Sequence, residues 1–194
     1  LDRALSGLLL HGWIGVDLFF VLSGFLITGI LLDTRGDPGW LRRFYLRRVF
    51  RIVPAYYVAL LVQAVVLWSA GEASRVRLGW TATWLTNHLL AREGWDGLAT
   101  SLHHFWSLAV EEQFYLVWPG LMLLLVKYAR LARGVLLAVL GAMWVVSLAL
   151  CVQATTDEPM WAFFMLPARA WELLSGALLA AVGGTLWRGA GRLK

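Results

Sequence analysis

Ionisable and hydroxyl-bearing side chains set inside apolar runs are the residues of this chain able to do chemistry, and they gather in four places. In Gly15-Val16-Asp17-Leu18-Phe19-Phe20-Val21-Leu22-Ser23-Gly24-Phe25, Asp17 puts a carboxylate one turn inside hydrocarbon. An ionised group persists there only where a partner or water meets it. A helix-end Asp that caps or snorkels is the plainer reading, and the depth of Asp17 favours the functional one. Ser23 and Gly24 read as small residues that let helices approach closely.

The second place is Arg42-Arg43-Phe44-Tyr45-Leu46-Arg47-Arg48-Val49-Phe50-Arg51-Ile52-Val53-Pro54. Helical spacing puts Arg47, Arg48 and Arg51 on one face. Converging guanidiniums suit bidentate contacts to phosphate groups, and basic juxtamembrane segments equally serve as anchors on anionic lipid. Composition alone leaves the anchor as the reading.

The third is His103-His104-Phe105-Trp106-Ser107-Leu108-Ala109-Val110-Glu111-Glu112-Gln113-Phe114-Tyr115. On a helix His104, Ser107, Glu111 and Tyr115 fall along one stripe, while Glu112 points about 100° away. A His and a carboxylate so placed do acid and base work or hold a polar network. Two adjacent glutamates in an apolar run are poorly explained as solvated surface, which favours function for Glu111; Glu112 is expected to tolerate Gln with modest loss. Pro119 either bends the helix beside a cavity or is a tolerated kink. In the fourth place, Arg169 and Glu172 are three apart and are expected to pair with each other.

These groups need elements to position them, and the composition says which. Of the 194 residues 60% are hydrophobic and 15% charged, and the mean hydropathy is +0.68, more apolar surface than a soluble domain of this size can hide. The 12 Trp and 5 Tyr suit the headgroup level of a bilayer. The net charge of +5 comes from basic residues at the ends of apolar runs rather than on one soluble face, which argues against nucleic acid. Cys151 is the sole cysteine, so disulfide and metal-site readings fail.

Runs of roughly 20 residues, enough to cross about 30 Å of hydrocarbon, lie at 14–32, 52–70, 107–126, 134–153 and 166–183. The run at 78–91 is short and carries Asn87 and His88, which assigns it to an interfacial or re-entrant segment. The expected fold is an all-α, polytopic transmembrane bundle of about five spans in one membrane domain covering 1–194. Five spans put 33–51, 127–133 and 188–194 on one side, with 12 of the 17 basic residues, and that side is expected to be cytoplasmic. The first residues are not expected to form a cleavable signal peptide, and both ends read as cuts in something longer.

The Gly15 to Thr28 run, the arginines ending in Arg51-Ile52-Val53-Pro54, and His104-Phe105-Trp106-Ser107-Leu108 on to Tyr115 together resemble, in this order, the acyltransferase 3 family of membrane O-acyltransferases, which includes the O-antigen and peptidoglycan O-acetylases. The resemblance implies an enzyme of the bacterial inner membrane that moves an acyl group, usually acetyl, from cytoplasmic acyl-CoA to a hydroxyl of a cell-envelope glycan or another acceptor, without a metal. It implies donor use by Arg48 and Arg51 through an Arg-x-x-Arg motif. Ser107, Glu111, Phe114 and Tyr115 match a Ser-Leu-x-x-Glu-x-x-Phe-Tyr motif, and Asp17 matches its Gly-Val-Asp-Leu-Phe-Phe run. Family members begin with a further span carrying an Arg and a functional His, and His11 lies too close to Gly15 to be that residue. That His would be the general base, oriented by Asp17 or Glu111. Two other readings remain: a transporter or flippase, from the intramembrane Asp17, Glu111 and Arg169, and a truncated, inactive membrane module.

Overall fold

The computed structural model describes residues 12–34, 38–71, 77–128 and 132–190. Arg35, Arg130, Arg192 and Lys194, used in the charge reading above, lie outside the described residues, as do His11 and the side chains of Lys127 and Arg188.

Every element among the described residues is helical: α1 (Gly12–Thr34), α2 (Trp40–Ser69), α3 (Leu78–Ala82), α4 (Thr86–Glu93), α5 (Phe105–Met122), α6 (Arg133–Asp157), α7 (Pro159–Phe164) and α8 (Leu166–Ala190), with short helical turns at Trp95–Gly97, Thr100–Leu102 and Leu123–Tyr128. Among the described residues five stretches are long and apolar enough to cross a membrane: Ile14–Thr34, Trp40–Ser69, Thr100–Val126, Arg133–Asp157 and Pro159–Gly183. The chain is a multi-pass integral membrane protein, and the expected five-span bundle is borne out.

The second span differs from its expected start. Its helix begins at Trp40, not near Ile52, so the arginines ride on its first turns instead of a connection. Arginine is a good helix former, and nothing between Trp40 and Ile52 breaks a helix. Gly39, in the left-handed region at φ 69°, makes the turn before it. The 30 residues of α2 reach about 45 Å, longer than the hydrocarbon core, which leaves its basic turns beyond the apolar zone.

In lipid there is no hydrophobic drive between helices, so association rests on close packing and interhelical hydrogen bonds. Both are present. A Cβ on Gly24 would run into the backbone of Leu173, and one on Gly176 into the backbone of Val21, so α1 and α8 touch main chain to main chain and run parallel. Trp118 on α5 donates to Thr28 on α1 at 2.9 Å, and Trp144 on α6 to Ser175 on α8 at 2.8 Å. The Ser147 hydroxyl of α6 donates to Pro167 O at 2.7 Å and accepts from Trp171 N at 2.8 Å, bridging the first turn of α8. Arg133 donates to Val182 O at 2.9 Å, which places the start of α6 beside the far end of α8.

The 78–91 segment is a helical hairpin, α3 and α4, whose turn meets α2 at Tyr56 and Tyr57, midway along that helix. Irregular backbone packed among spans requires partners for its polar groups. Tyr56 donates to Thr81 O at 2.5 Å, Tyr57 to Ala82 O at 2.7 Å and Gln113 to Trp84 O at 3.1 Å. Gln113 also bonds Asn87 Oδ1 at 2.9 Å, and Asn87 donates to Phe164 O at 3.3 Å. Trp84 holds a left-handed φ of 59° with its ring stacked 3.6 Å from Tyr56. The segment thus packs its turn against α2 and α5, and an ion pair between Arg77 and Glu93 ties its two ends.

Candidate active site

Helices α1, α2 and α5 enclose a cavity of about 620 Å³. Ser23, Leu26, Ile30 and Thr34 of α1 form one wall, Trp40, Arg43, Phe44, Arg47, Arg48, Arg51 and Ile52 of α2 a second, and Glu111 and Tyr115 of α5 the inner end. The 3.6-residue period brings Arg47, Arg48 and Arg51 to this one space, as their spacing predicts. Arg47 and Arg51 are exposed at its rim, and Arg48 is partly buried.

At the inner end Glu111 is buried. Its Oε1 accepts from the Ser23 hydroxyl at 2.5 Å and from the Tyr115 hydroxyl one turn along α5. A buried carboxylate is costly without hydrogen bonds, and two O–H donors on one oxygen supply them. The Arg48 guanidinium lies 3.1 Å from the Tyr115 ring centroid and 5.5 Å from that of Phe44, close enough for the ring faces to attract it. Tyr45 ties α2 to α5 with a bond to Leu116 O at 2.9 Å. The result is a basic cleft ending in a carboxylate that holds two hydroxyls in place.

The other candidates lie elsewhere. His104 is exposed just before α5, and Ser107 gives its hydroxyl to His104 O at 3.0 Å, so only the Glu111–Tyr115 half of the expected stripe borders the cavity. Asp17 stands nearer the other end of α1, ion-paired to Arg169 at 2.7 Å. Arg169 also pairs with Glu172 at 3.0 Å, as the spacing predicts, among the rings of Phe20, Trp106 and Phe163 at 5.8, 5.7 and 5.4 Å. Pro119 is buried and borders no part of the cavity. Among the described residues no three His, Cys, Asp or Glu side chains gather as metal ligands.

Sequence reasoning missed Ser23, taken for a packing residue. Its partner is 88 positions away, and no local pattern links the two. The signal available was the Ser23-Gly24 pair itself: Gly24 makes the backbone contact with α8, which turns the neighbouring Ser23 toward α5.

A polytopic helical membrane protein with a basic cleft ending in a carboxylate–hydroxyl cluster is the class that the fold and the site define. The chain belongs to the acyltransferase 3 family, whose acyltransferase domain matches residues 5–186. It is similar to peptidoglycan O-acetyltransferase OatA of Listeria monocytogenes, 36% identical over 189 residues that cover 88% of this chain and 29% of that protein. Similarity to YrhL of Bacillus subtilis is 35% identity over 188 residues, 88% of this chain and 29% of that one. A Haemophilus influenzae protein shares 30% over 179 residues, 85% of this chain and 73% of its own length. The chain therefore spans about three tenths of the first two relatives. No solved structure matches it.

Proposed function

We propose that this chain is the membrane part of an O-acyltransferase that takes an acyl group, acetyl by analogy with its named relative, from cytoplasmic acyl-CoA and delivers it to a hydroxyl of a cell-envelope glycan. One observation carries the reading: four arginines, Arg43, Arg47, Arg48 and Arg51, line a cavity of about 620 Å³ whose inner end is Glu111 with Tyr115 and Ser23 bonded to it. Guanidiniums are suited to phosphate, which CoA carries, and the volume lies in the range of small-molecule sites. The described arginines of α2 and Arg133 of α6 share one end of the bundle, and the positive-inside bias assigns that end to the cytoplasm of a bacterial inner membrane.

In this reading Arg47 and Arg51 take phosphate oxygens at the rim, Arg48 holds the donor deeper in, and the thioester comes to rest beside Glu111. The acceptor oxygen attacks the thioester carbonyl carbon, the carbon–sulfur bond breaks, and the proton of the hydroxyl passes through the base to the departing CoA thiolate. The base is assigned to the histidine that the family resemblance implies in a preceding span. Glu111 keeps the Ser23 and Tyr115 hydroxyls fixed and is assigned the orientation of that base, since Asp17 is paired with Arg169. His104 and Ser107 carry no assigned step.

The test is transfer of labelled acetyl from acetyl-CoA by the full-length protein in membranes. Arg48→Ala and Arg51→Ala are expected to abolish transfer while leaving insertion intact. Wild-type activity in the double variant reduces the arginines to topological anchors, and the absence of any acyl-CoA-dependent acylation by the parent overturns the function.

A further inference from the structure

Arg48 stands in a partition between two cavities. A second space of about 380 Å³ lies between α2, the α3–α4 turn and α5, bounded by Tyr45, Val49, Val53, Trp84 and Leu116, and it shares Arg48 and Tyr115 with the first. Glu112 borders only the second. The two adjacent glutamates, about 100° apart on the helix, therefore approach the partition from opposite sides. Glu111 accepts from the Tyr115 hydroxyl, and Glu112 Oε1 stands 3.7 Å from Arg48 Nη1.

The Glu112 contact is a charge contact rather than a hydrogen bond. Glu112 Oε1 is buried without a hydrogen-bond partner, and no Arg48 N–H is bonded to another described residue. The two side chains are 22% and 25% exposed, where solvent screens a charge pair only in part. Arg48 is thus located by a ring beneath it and a carboxylate beside it, with all five of its N–H donors still available. A guanidinium held in this way is pre-organised for an anionic ligand in the arginine cavity.

We propose that Glu112 is a positioning residue for the donor: its charge keeps Arg48 on the Tyr115 ring, so that the guanidinium fork faces the arginine cavity. The inference rests on reading that cavity as the donor site. It assigns the neighbours different parts, Glu111 in the chemistry and Glu112 in donor affinity. The sign is diagnostic. If Glu112 acted only as a nearby negative charge, removing it would strengthen phosphate binding; as a positioning residue, its removal weakens binding.

The experiment measures binding of CoA, a non-reacting probe, to the purified full-length protein in lipid nanodiscs, beside the KM and kcat for acetyl-CoA. Glu112→Gln keeps the size of the side chain and removes its charge. It is expected to raise the Kd for CoA and the KM roughly five- to tenfold, with kcat within about twofold. Glu112→Asp, which keeps the charge, is expected to fall between wild type and Gln. In an Arg48→Ala background Glu112→Gln is expected to add no further loss. CoA binding unchanged or tighter in Glu112→Gln overturns the inference, as does a loss fully additive with that of Arg48→Ala. Wild-type CoA binding in Arg48→Ala overturns the donor reading itself, and the inference with it.

Discussion

Replacing Glu111 with Gln tests whether the inner end of the cavity works as a charged group or as a scaffold. Gln fills the same space and can still accept from Ser23 and Tyr115, whose hydroxyls both lie on Glu111 Oε1. What changes is the charge. A hydrogen bond to an ionised group contributes about 1.5–3 kcal/mol and a neutral one about 0.5–1.5, so two bonds lose about 2–3 kcal/mol between them. If that stabilisation is present in the transition state, transfer falls roughly 30- to 160-fold. The assay is initial-rate transfer from labelled acetyl-CoA by the full-length protein at matched membrane abundance. Ser23→Ala and Tyr115→Phe, which remove one bond each, are expected to lose less than Glu111→Gln. A rate for Glu111→Gln within threefold of wild type would refute the reasoning, because the carboxylate would then be serving only as a hydrogen-bond frame.

Gly24→Leu drives a side chain into the Leu173 backbone, where no side chain can swing aside; overpacking of this kind costs about 1–3 kcal/mol or more, and thermal unfolding in detergent is expected to show a clear drop. Arg169→Leu leaves Glu172, only 1% exposed, as an unpaired buried carboxylate, a loss of about 3–5 kcal/mol; adding Glu172→Leu is expected to restore much of the folded yield, read by size-exclusion profile. Gln113→Leu removes the donor to Trp84 O and the link to Asn87, and protease accessibility of the turn between α3 and α4 is expected to rise.

The spans were legible because their signal is local: a run of roughly 20 apolar residues has few other uses. That 78–91 forms no span was legible for the converse reason, since it is too short to cross and carries Asn87. The start of α2 was not, because hydropathy reads Arg42 to Arg51 as a connection, whereas the helix is free to continue beyond the hydrocarbon. The stripe on α5 was half legible. Helical phase places Glu111 beside Tyr115, but α5 begins at Phe105, so His104 stands before its first residue and borders no part of the cavity. Glu112 was correctly turned away from Glu111, yet nothing local gave its neighbour on α2. Asp17 and Arg169, Ser23 and Glu111, and Arg48 and Tyr115 are all pairs between distant spans, and a single sequence does not say which spans meet.

The contact between α1 and α8 has a consequence for biogenesis. Asp17 and Arg169 are 152 positions apart, and at 5–20 residues per second the first span waits roughly 8 to 30 s before the fifth is made. Through that interval α1 has lipid or other spans where α8 will lie, and Asp17 is without the cation it finally meets. The Gly24–Leu173 and Gly176–Val21 contacts therefore form last, and the Arg48–Tyr115–Glu111 cleft needs only α1, α2 and α5, all of them already in the bilayer. A ribosome stalled before Arg169 would leave the donor cleft assembled beside an unneutralised carboxylate, a species for membrane quality control to recognise.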